Sequence, residues 1–552
     1  HQALTPTAAA VYVDGTFMAT NVQTSPLLFD IERAEVLKGP QGSLYGRNAT
    51  AGAINFISIE PGRQTEGYLA GEFGNFGRVN VNAAYNTPVS DTLAVRLSGR
   101  YLSQSPLIDN VVTDNTVSAP NDAGGKRNEF GLRLLAKFTP TDQTSALFNV
   151  HYAEDNGINA SPRNESLTQL GNHEISVGPD GVQDTDNEFY GASLRGEHDF
   201  GTAQLTSQLS FEGFNQQYGF DFAALPGFFG GQTANLSYDR NLSQIASESR
   251  LAFQRDRLNG MVGIYLEAEE FDQDYRVWCG KLNLSTLVGS CNYIAAGRRV
   301  GAAPSPAGAS ASTLQSIIAQ TRKTAALFTY NQYALTPQLD LVFGGRLTAE
   351  NIKGNGEGRH IFDDGTVGLN NQFATDANGN QVTIGPAIGG NEISETRLSG
   401  NVGLNYKPSD AVLLYLSYAN GFKSGGFNGE VINNASHFND AGLFGPESVD
   451  SIEAGIKWAA GTARLELAGY YNFYSDPQAR FFENVTLDDG TVIGLNSLSN
   501  FDKARSFGID ASAAITPFEG FDLTAAISVI DTEIEDAAQP SLDGNNLPFA
   551  PG

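Results

Sequence analysis

The sequence predicts a mainly β protein: a transmembrane antiparallel β-barrel of about 17 strands, out of an expected 22 or so, with an N-terminal α/β segment inside its lumen. Three observations carry this. From about Glu66 onward, apolar and polar residues alternate in runs of roughly ten. The connections between runs alternate between short turns of one chemistry and long polar loops. No apolar run reaches the roughly eighteen residues of a spanning helix, so strands would have to make any membrane crossing.

The wall comes first. In "LAVRLSGRYL", Leu93, Val95, Leu97, Gly99 and Tyr101 alternate with Ala94, Arg96, Ser98 and Arg100. In "LDLVFGGRL", Leu339, Leu341, Phe343 and Leu347 share one face, with Asp340 and Arg346 on the other. Period two gives a strand with one apolar and one polar face. Short turns recur at Pro88, Pro140, Pro337, Pro408 and Pro517, each near Asp, Asn or Gly. Long connections lie at about 105–125, 155–186, 214–238, 274–321, 354–391, 421–447 and 476–499; loops of that length are usually functional. Amphipathic strands with short turns at one end and long loops at the other are the pattern of an outer-membrane barrel. In lipid only a closed sheet satisfies every strand backbone. A soluble propeller or solenoid would need a fixed repeat length, and these loops vary.

Seventeen is odd, whereas bacterial single-chain barrels have an even strand number. The chain stops at "NNLPFAPG", after a strand heading outward. Both points predict further strands beyond residue 552, about five for a wall of 22.

Residues 1–62 read as a separate, partial domain and 63–552 as the partial barrel. "AAVYVDGTF" gives a short strand into an Asp14–Gly15 turn. "IERAEVLKG" and "GAINFISI" give two more around a glycine-rich stretch. Gly39, Gly42 and Gly46 are spaced three and four apart with no Gly-Lys-Ser/Thr after them, so neither the P-loop nor the dinucleotide fingerprint is present. "YVDG" followed by "IERAEVLKGPQGSLYGRNATAGAINFIS" resembles the plug domain of TonB-dependent outer-membrane receptors. "YANGFKSGGFNG" at Tyr418–Gly429, "GPESVDSIEAGIKW" at Gly445–Trp458 and "DKARSFGIDASA" near Asp502 are similar to that family's barrel.

The resemblance implies a plugged barrel in the bacterial outer membrane, set in lipid. Such a barrel is energised by the TonB-ExbB-ExbD complex and imports a scarce nutrient. A ferric siderophore or similar metal chelate heads the list; cobalamin, haem and oligosaccharide stay open. A passive porin or adhesin barrel is the alternative from another class. The family's plug–barrel pairing falls here on Arg33, Arg47 and Lys38, with Glu453 as the wall acid. The glycines then serve a plug core threaded through a crowded lumen. Relative to the family, the first part of the plug, any TonB-contacting segment and the last strands are expected to lie outside this sequence.

Ligand contacts are expected at plug apices and outer loops. Phe17 and Met18 follow the Asp14–Gly15 turn. Tyr218, Phe220, Phe222, Phe228 and Phe229 crowd one long loop, and Tyr275 and Trp278 stand in another. Exposed aromatic clusters suit binding; an aromatic girdle at the membrane edge is the other reading. Cys279 and Cys291, twelve apart in a polar stretch with no His nearby, read as a loop disulfide.

The 34 basic and 61 acidic residues give a net charge of −27, which disfavours nucleic acid. The six histidines are scattered and no HExxH or GxSxG occurs, so no catalytic site, metal site or cofactor is expected.

Overall fold

In the computed structural model, residues 6–110, 122–158, 174–175, 184–221, 234–279, 311–362, 367–369, 373–375, 381–383, 388–429, 443–486, 492–536 and 543–547 are described. A small four-stranded sheet comes first: β1 (Ala9–Val13), β2 (Thr16–Met18), β3 (Ile31–Lys38) and β4 (Gly52–Ser58), in the order β2-β1-β4-β3. Its helical content is two 3-10 turns, Asn21–Gln23 and Ser25–Leu27. Asp14 and Gly15 both take positive φ in the β1–β2 turn, as a tight hairpin requires.

The wall is a large antiparallel sheet of 17 strands. It starts with β5 (Glu66–Gly74), β6 (Arg78–Pro88), β7 (Leu93–Gln104), β8 (Arg127–Thr141), β9 (Thr144–Ile158) and β10 (Asp184–Asp199). Longer strands follow: β11 (Ala203–Asp221), β12 (Ala234–Arg255), β13 (Leu258–Cys279), β14 (Ala311–Thr336), β15 (Leu339–Phe362) and β16 (Ile388–Ser409). It ends with β17 (Val412–Lys423), β18 (Glu447–Ala460), β19 (Ala463–Ser475), β20 (Lys503–Phe518) and β21 (Phe521–Glu535). Each strand pairs with the next in the chain, and the order comes round so that β21 neighbours β5. Along that seam no residue-by-residue ladder runs among the described residues. All of β5 and the first nine residues of β21 are exposed.

Period two decides which face is lipid. On β13, Val262, Ile264 and Leu266 are 44%, 52% and 55% exposed, while Glu267 and Glu269 are 5% and 6% exposed. The apolar set faces outward and the charged set faces the lumen, the reverse of a soluble core. The short turns carry the predicted prolines. Ladder registers slip between Phe138 and Thr141, Tyr406 and Ser409, and Ile515 and Phe518, where Pro140, Pro408 and Pro517 stand. Proline offers no N–H to the ladder, so the pairing skips there.

The other ends extend further than the alternation suggested. β11 to β16 run 19 to 26 residues, about twice a membrane crossing. The stretches read as loops around Tyr218 and Tyr275 are therefore strand, because beyond the lipid both faces turn polar while the hydrogen-bond ladder continues. In the plug, close packing explains the glycine-rich stretch. A Cβ on Gly42 would stand 2.8 Å from the Asn420 carbonyl oxygen and 2.9 Å from the Gly421 Cα, both backbone atoms of the wall.

Candidate functional site

The plug is held by buried polar contacts arranged around its rim. Asp30 and Arg96 form a two-pronged pair, with Arg96 Nε and Nη2 each donating at 2.7 Å. Both side chains are almost fully buried, so each needs the other to offset desolvation. Arg47 donates to Glu267 at 2.5 Å and Glu269 at 3.1 Å. Glu269 in turn meets Arg322 at 3.5 Å, and Arg322 pairs with Glu350. Burial works against the Arg47 charge, but Glu267, Glu269 and Glu350 outweigh it and hold its pKa above the ordinary value. The Arg47 guanidinium also lies 4.8 Å from the Phe17 ring centroid.

Two wall arginines grip plug backbone instead of carboxylates. Arg133 donates to the Leu27 and Phe29 carbonyls at 2.7 and 2.8 Å and covers the Phe29 ring. Arg346 donates to the Leu44 carbonyl at 3.2 Å. A Cβ on Gly46, whose φ is +77°, would stand 2.8 Å from Arg346 Nε, so glycine at that position lets the guanidinium approach. At the plug's exit, Glu60 pairs with Lys137 at 2.6 Å and with Arg195. Burial raises the Glu60 pKa, yet the Lys137 hydrogen bond and the Arg195 charge bring it below the usual carboxylate value.

The sequence-predicted pairing is redistributed. Arg47 reaches the wall, but its partners are Glu267 and Glu269 on β13. Arg33 is exposed and pairs along its own strand with Glu32 and Glu35, both at 2.8 Å. It sits on β3, the outer strand of the plug sheet, which turns it away from the wall acids. Lys38 reaches Asp510 on β20 at 2.7 Å. Glu453 accepts from Tyr415 at 2.5 Å, so its partner is a wall tyrosine and no plug arginine.

Above the anchors the lumen is stratified in register. Lumen-facing residues at every second position line up across β9 to β14. One row, closest to the anchors, runs His151, Gly191, Glu212, Gln244, Glu269, Arg322. His151 Nε2 and Glu212 Oε2 meet at 3.0 Å across Gly191, where a Cβ would stand 2.6 Å from the imidazole. The next row outward is Ala153, Phe189, Phe214, Leu242, Phe271, all nearly fully buried. Phe189 and Phe214 stack at 5.2 Å, and plug residues Ala19, Val22 and Leu27 pack against this collar. It forms an apolar layer between the charged belt and the residues outside it.

Outside the collar stands Gln216, Arg240, Gln273, and then Tyr218, Tyr238, Tyr275. Arg240 Nη1 donates to Gln216 at 2.9 Å and Nε to Gln273 at 2.8 Å. Its guanidinium lies 3.8 Å from the Tyr238 ring centroid. Tyr238 is 4.9 Å from Tyr275 and 6.1 Å from Tyr218, centroid to centroid. A buried guanidinium stacked on one tyrosine, with two more tyrosines beside that ring, groups a cation with aromatic faces, the chemistry that recognises anionic aromatic ligands.

Tyr218 and Tyr275, chosen from the sequence as loop residues, are thus brought together on neighbouring walls by Tyr238. Tyr238 and Arg240 were missed. Their signal was the alternation in "YDRNLSQ", which shows a shared face but not which strand it meets. Phe17 and Met18 sit apart from this tyrosine cluster. They are 4% and 3% exposed, Phe17 packing on Ala10, Ala49 and Ala53 in the plug's own core. The Asp14–Gly15 turn before them is buttoned into the wall by Asn149 and Gln208, which keeps it from standing as a free apex. Phe222, Phe228, Phe229 and Cys291 lie outside the described residues, as do the side chains of Phe220, Trp278 and Cys279.

An outward apolar band, a polar lumen and an anchored N-terminal domain filling it define a plugged barrel of the outer membrane. The chain belongs to the TonB-dependent receptors: the TonB-dependent receptor-like β-barrel model matches residues 130–552 and the TonB-dependent receptor plug model residues 4–53. The pesticin receptor of Yersinia enterocolitica is 33% identical over 139 residues, 25% of this chain and 19% of its own length. The catecholate siderophore receptor Fiu of Escherichia coli is 34% identical over 96 residues, 17% of this chain and 12% of its own. These alignments therefore span under a fifth of the curated relatives' lengths. Among solved structures, the ferric yersiniabactin uptake receptor of Yersinia pestis superposes with a TM-score of 0.76 at 18% identity, covering 99% of this chain and 73% of that one. The ferric-catecholate import receptor Fiu of E. coli gives 0.67 at 16% identity, with 100% and 76% coverage. These two likenesses bear on the fold.

Proposed function

We propose that this protein imports a ferric chelate of the siderophore type across the outer membrane, with TonB supplying the work that moves the plug. The observation that carries the proposal is the register-aligned cluster of Tyr218, Tyr238 and Tyr275 on neighbouring strands, with Arg240 stacked on Tyr238, directly outside the apolar collar; we call it the tyrosine chamber. A ferric chelate with aromatic, anionic donor groups would meet aromatic faces and a guanidinium there. The relatives support the same class, since one is named a catecholate siderophore receptor and a solved neighbour a ferric yersiniabactin uptake receptor. The collar and plug close the route inward, so passage requires the plug anchors to give way. The protein does no chemistry on the cargo; the chamber captures it and plug movement releases it to the periplasm.

Binding of ferric chelates to the purified protein tests this, using a panel of catecholate, phenolate and hydroxamate ligands followed by intrinsic fluorescence quenching. Arg240→Gln and Tyr238→Ala should each weaken binding of one anionic aromatic chelate at least tenfold. Equal binding of all chelates by wild type and both variants contradicts the chamber.

A further inference from the structure

The stretch Phe422–Gly429, within "YANGFKSGGFNG", leaves the top of β17 and turns into the lumen. At its far end the Gly429 carbonyl accepts from Gln273 Nε2 at 3.0 Å, and Gln273 is the residue that also holds Arg240. At its near end it is locked to one plug residue by two bonds. The Asn48 N–H donates to the Phe422 carbonyl at 2.9 Å, and the Ser424 N–H donates to Asn48 Oδ1 at 3.2 Å. Between the ends, Phe427 is 1% exposed and seated in the collar against Gly354, where a Cβ would stand 2.7 Å from its ring.

We propose that residues 422–429 are a strap that reports occupation of the tyrosine chamber to the plug through Asn48; this rests on the chamber reading above. An anion drawn to Arg240 displaces Gln273 Oε1 from the guanidinium and accepts from Gln273 Nε2 in place of the Gly429 carbonyl, which releases Gly429. Asn428 is fastened to Leu498 by two hydrogen bonds at 2.8 and 2.9 Å and Phe427 pairs with Leu443, so Gly429 is one of three fastenings at this end; losing it weakens the seat of a ring that in a close-packed collar is either seated or out. The plug end is placed to feel the change. Ser424 Oγ donates to Glu350 at 2.9 Å, and Glu350 belongs to the charged cluster that holds Arg47, the neighbour of Asn48. Unseating the strap thus removes a donor from that cluster and two hydrogen bonds from the plug together. Asn48 is a positioning residue here, with no contact to cargo required of it.

Amide hydrogen exchange of the full chain in detergent, read by mass spectrometry, tests the strap. Gln273→Ala changes only the chamber end. The strap predicts at least tenfold faster exchange in the plug peptide around Asn48, and the same acceleration from Phe427→Leu alone, which weakens the seat with Gln273 intact. An unchanged plug peptide, with faster exchange confined to the segment around Gly429, overturns it. Ferric-chelate binding measured on the same samples separates the two claims. Intact wild-type binding with an unchanged plug peptide removes the strap alone. Absent binding removes the chamber reading, while the exchange result still decides whether the strap connects Gln273 to Asn48.

Discussion

Replacing Arg47 by methionine tests the plug anchor most sharply. In the wild type, Arg47 and Arg322 face Glu267, Glu269 and Glu350, two cations against three carboxylates. Methionine keeps the volume and contact with Phe17 but leaves one cation against three. Removing one member of a buried, hydrogen-bonded ion pair costs about 3–5 kcal/mol, because the stranded charge stays desolvated. At about 1.4 kcal/mol per decade, the open population around Arg47 rises roughly 100- to 4,000-fold. The reporters are amides with defined partners: Gln41 N–H to the Ala49 carbonyl, Tyr45 N–H to the Gln41 carbonyl, and Asn48 N–H to the Phe422 carbonyl. Their exchange should accelerate by two to three and a half decades or so, up to the limit set by global opening. Adding Glu267→Gln and Glu269→Gln should recover more than half of the lost protection, since neutral partners no longer need the cation. Arg33→Ala, on an exposed and solvent-screened pair, is the matched control and should leave protection near the wild-type level. An Arg47→Met variant protected within threefold of wild type, or a triple variant no better than the single, would mean that the Glu267–Glu269 pair does not depend on Arg47.

Other perturbations report on neighbouring anchors. Asp30→Asn loses the two-pronged contact with buried Arg96 and should weaken local plug stability by about 3–5 kcal/mol, read from exchange at Ile59, whose N–H donates to the Asp30 carbonyl. Gly191→Ala forces His151 and Glu212 apart and should destabilise the wall by about 1–3 kcal/mol, measured as a lower thermal midpoint in detergent. For Glu60 the folded pKa lies below the ordinary carboxylate value, so its stabilisation is present above that ordinary value and fades as pH falls through the folded pKa. Plug protection around residues 58–62 should therefore drop only as pH falls below the ordinary carboxylate pKa, and Glu60→Gln should flatten that dependence.

Much of the wall was legible because one face of every strand meets lipid, which period two records directly in pairs such as Leu266 and Glu267. The turns were legible because proline ends a ladder. Register was not, since "YDRNLSQ" cannot say that Tyr238 meets Tyr218 on one side and Tyr275 on the other. The same gap misassigned the plug contacts. Arg47 was visible as a cation in a glycine-rich stretch, but its acids lie some 220 residues away on β13. Arg33 looked equivalent and is solvated, because an edge strand of the plug sheet presents it outward. Phe17 and Met18 looked like an apex because a turn precedes them, yet the turn is fastened by wall amides. The strand ends near Tyr275 were misread as loops because alternation fades once both faces are wet.

The most direct test of the account is uptake of a radio-iron chelate by host cells that carry or lack this protein, each with and without TonB. Accumulation that requires both, and that falls at least tenfold with Arg240→Gln at equal surface expression, is the predicted result. Accumulation that persists without TonB, or that is the same whether or not this protein is present, would contradict active import through this barrel.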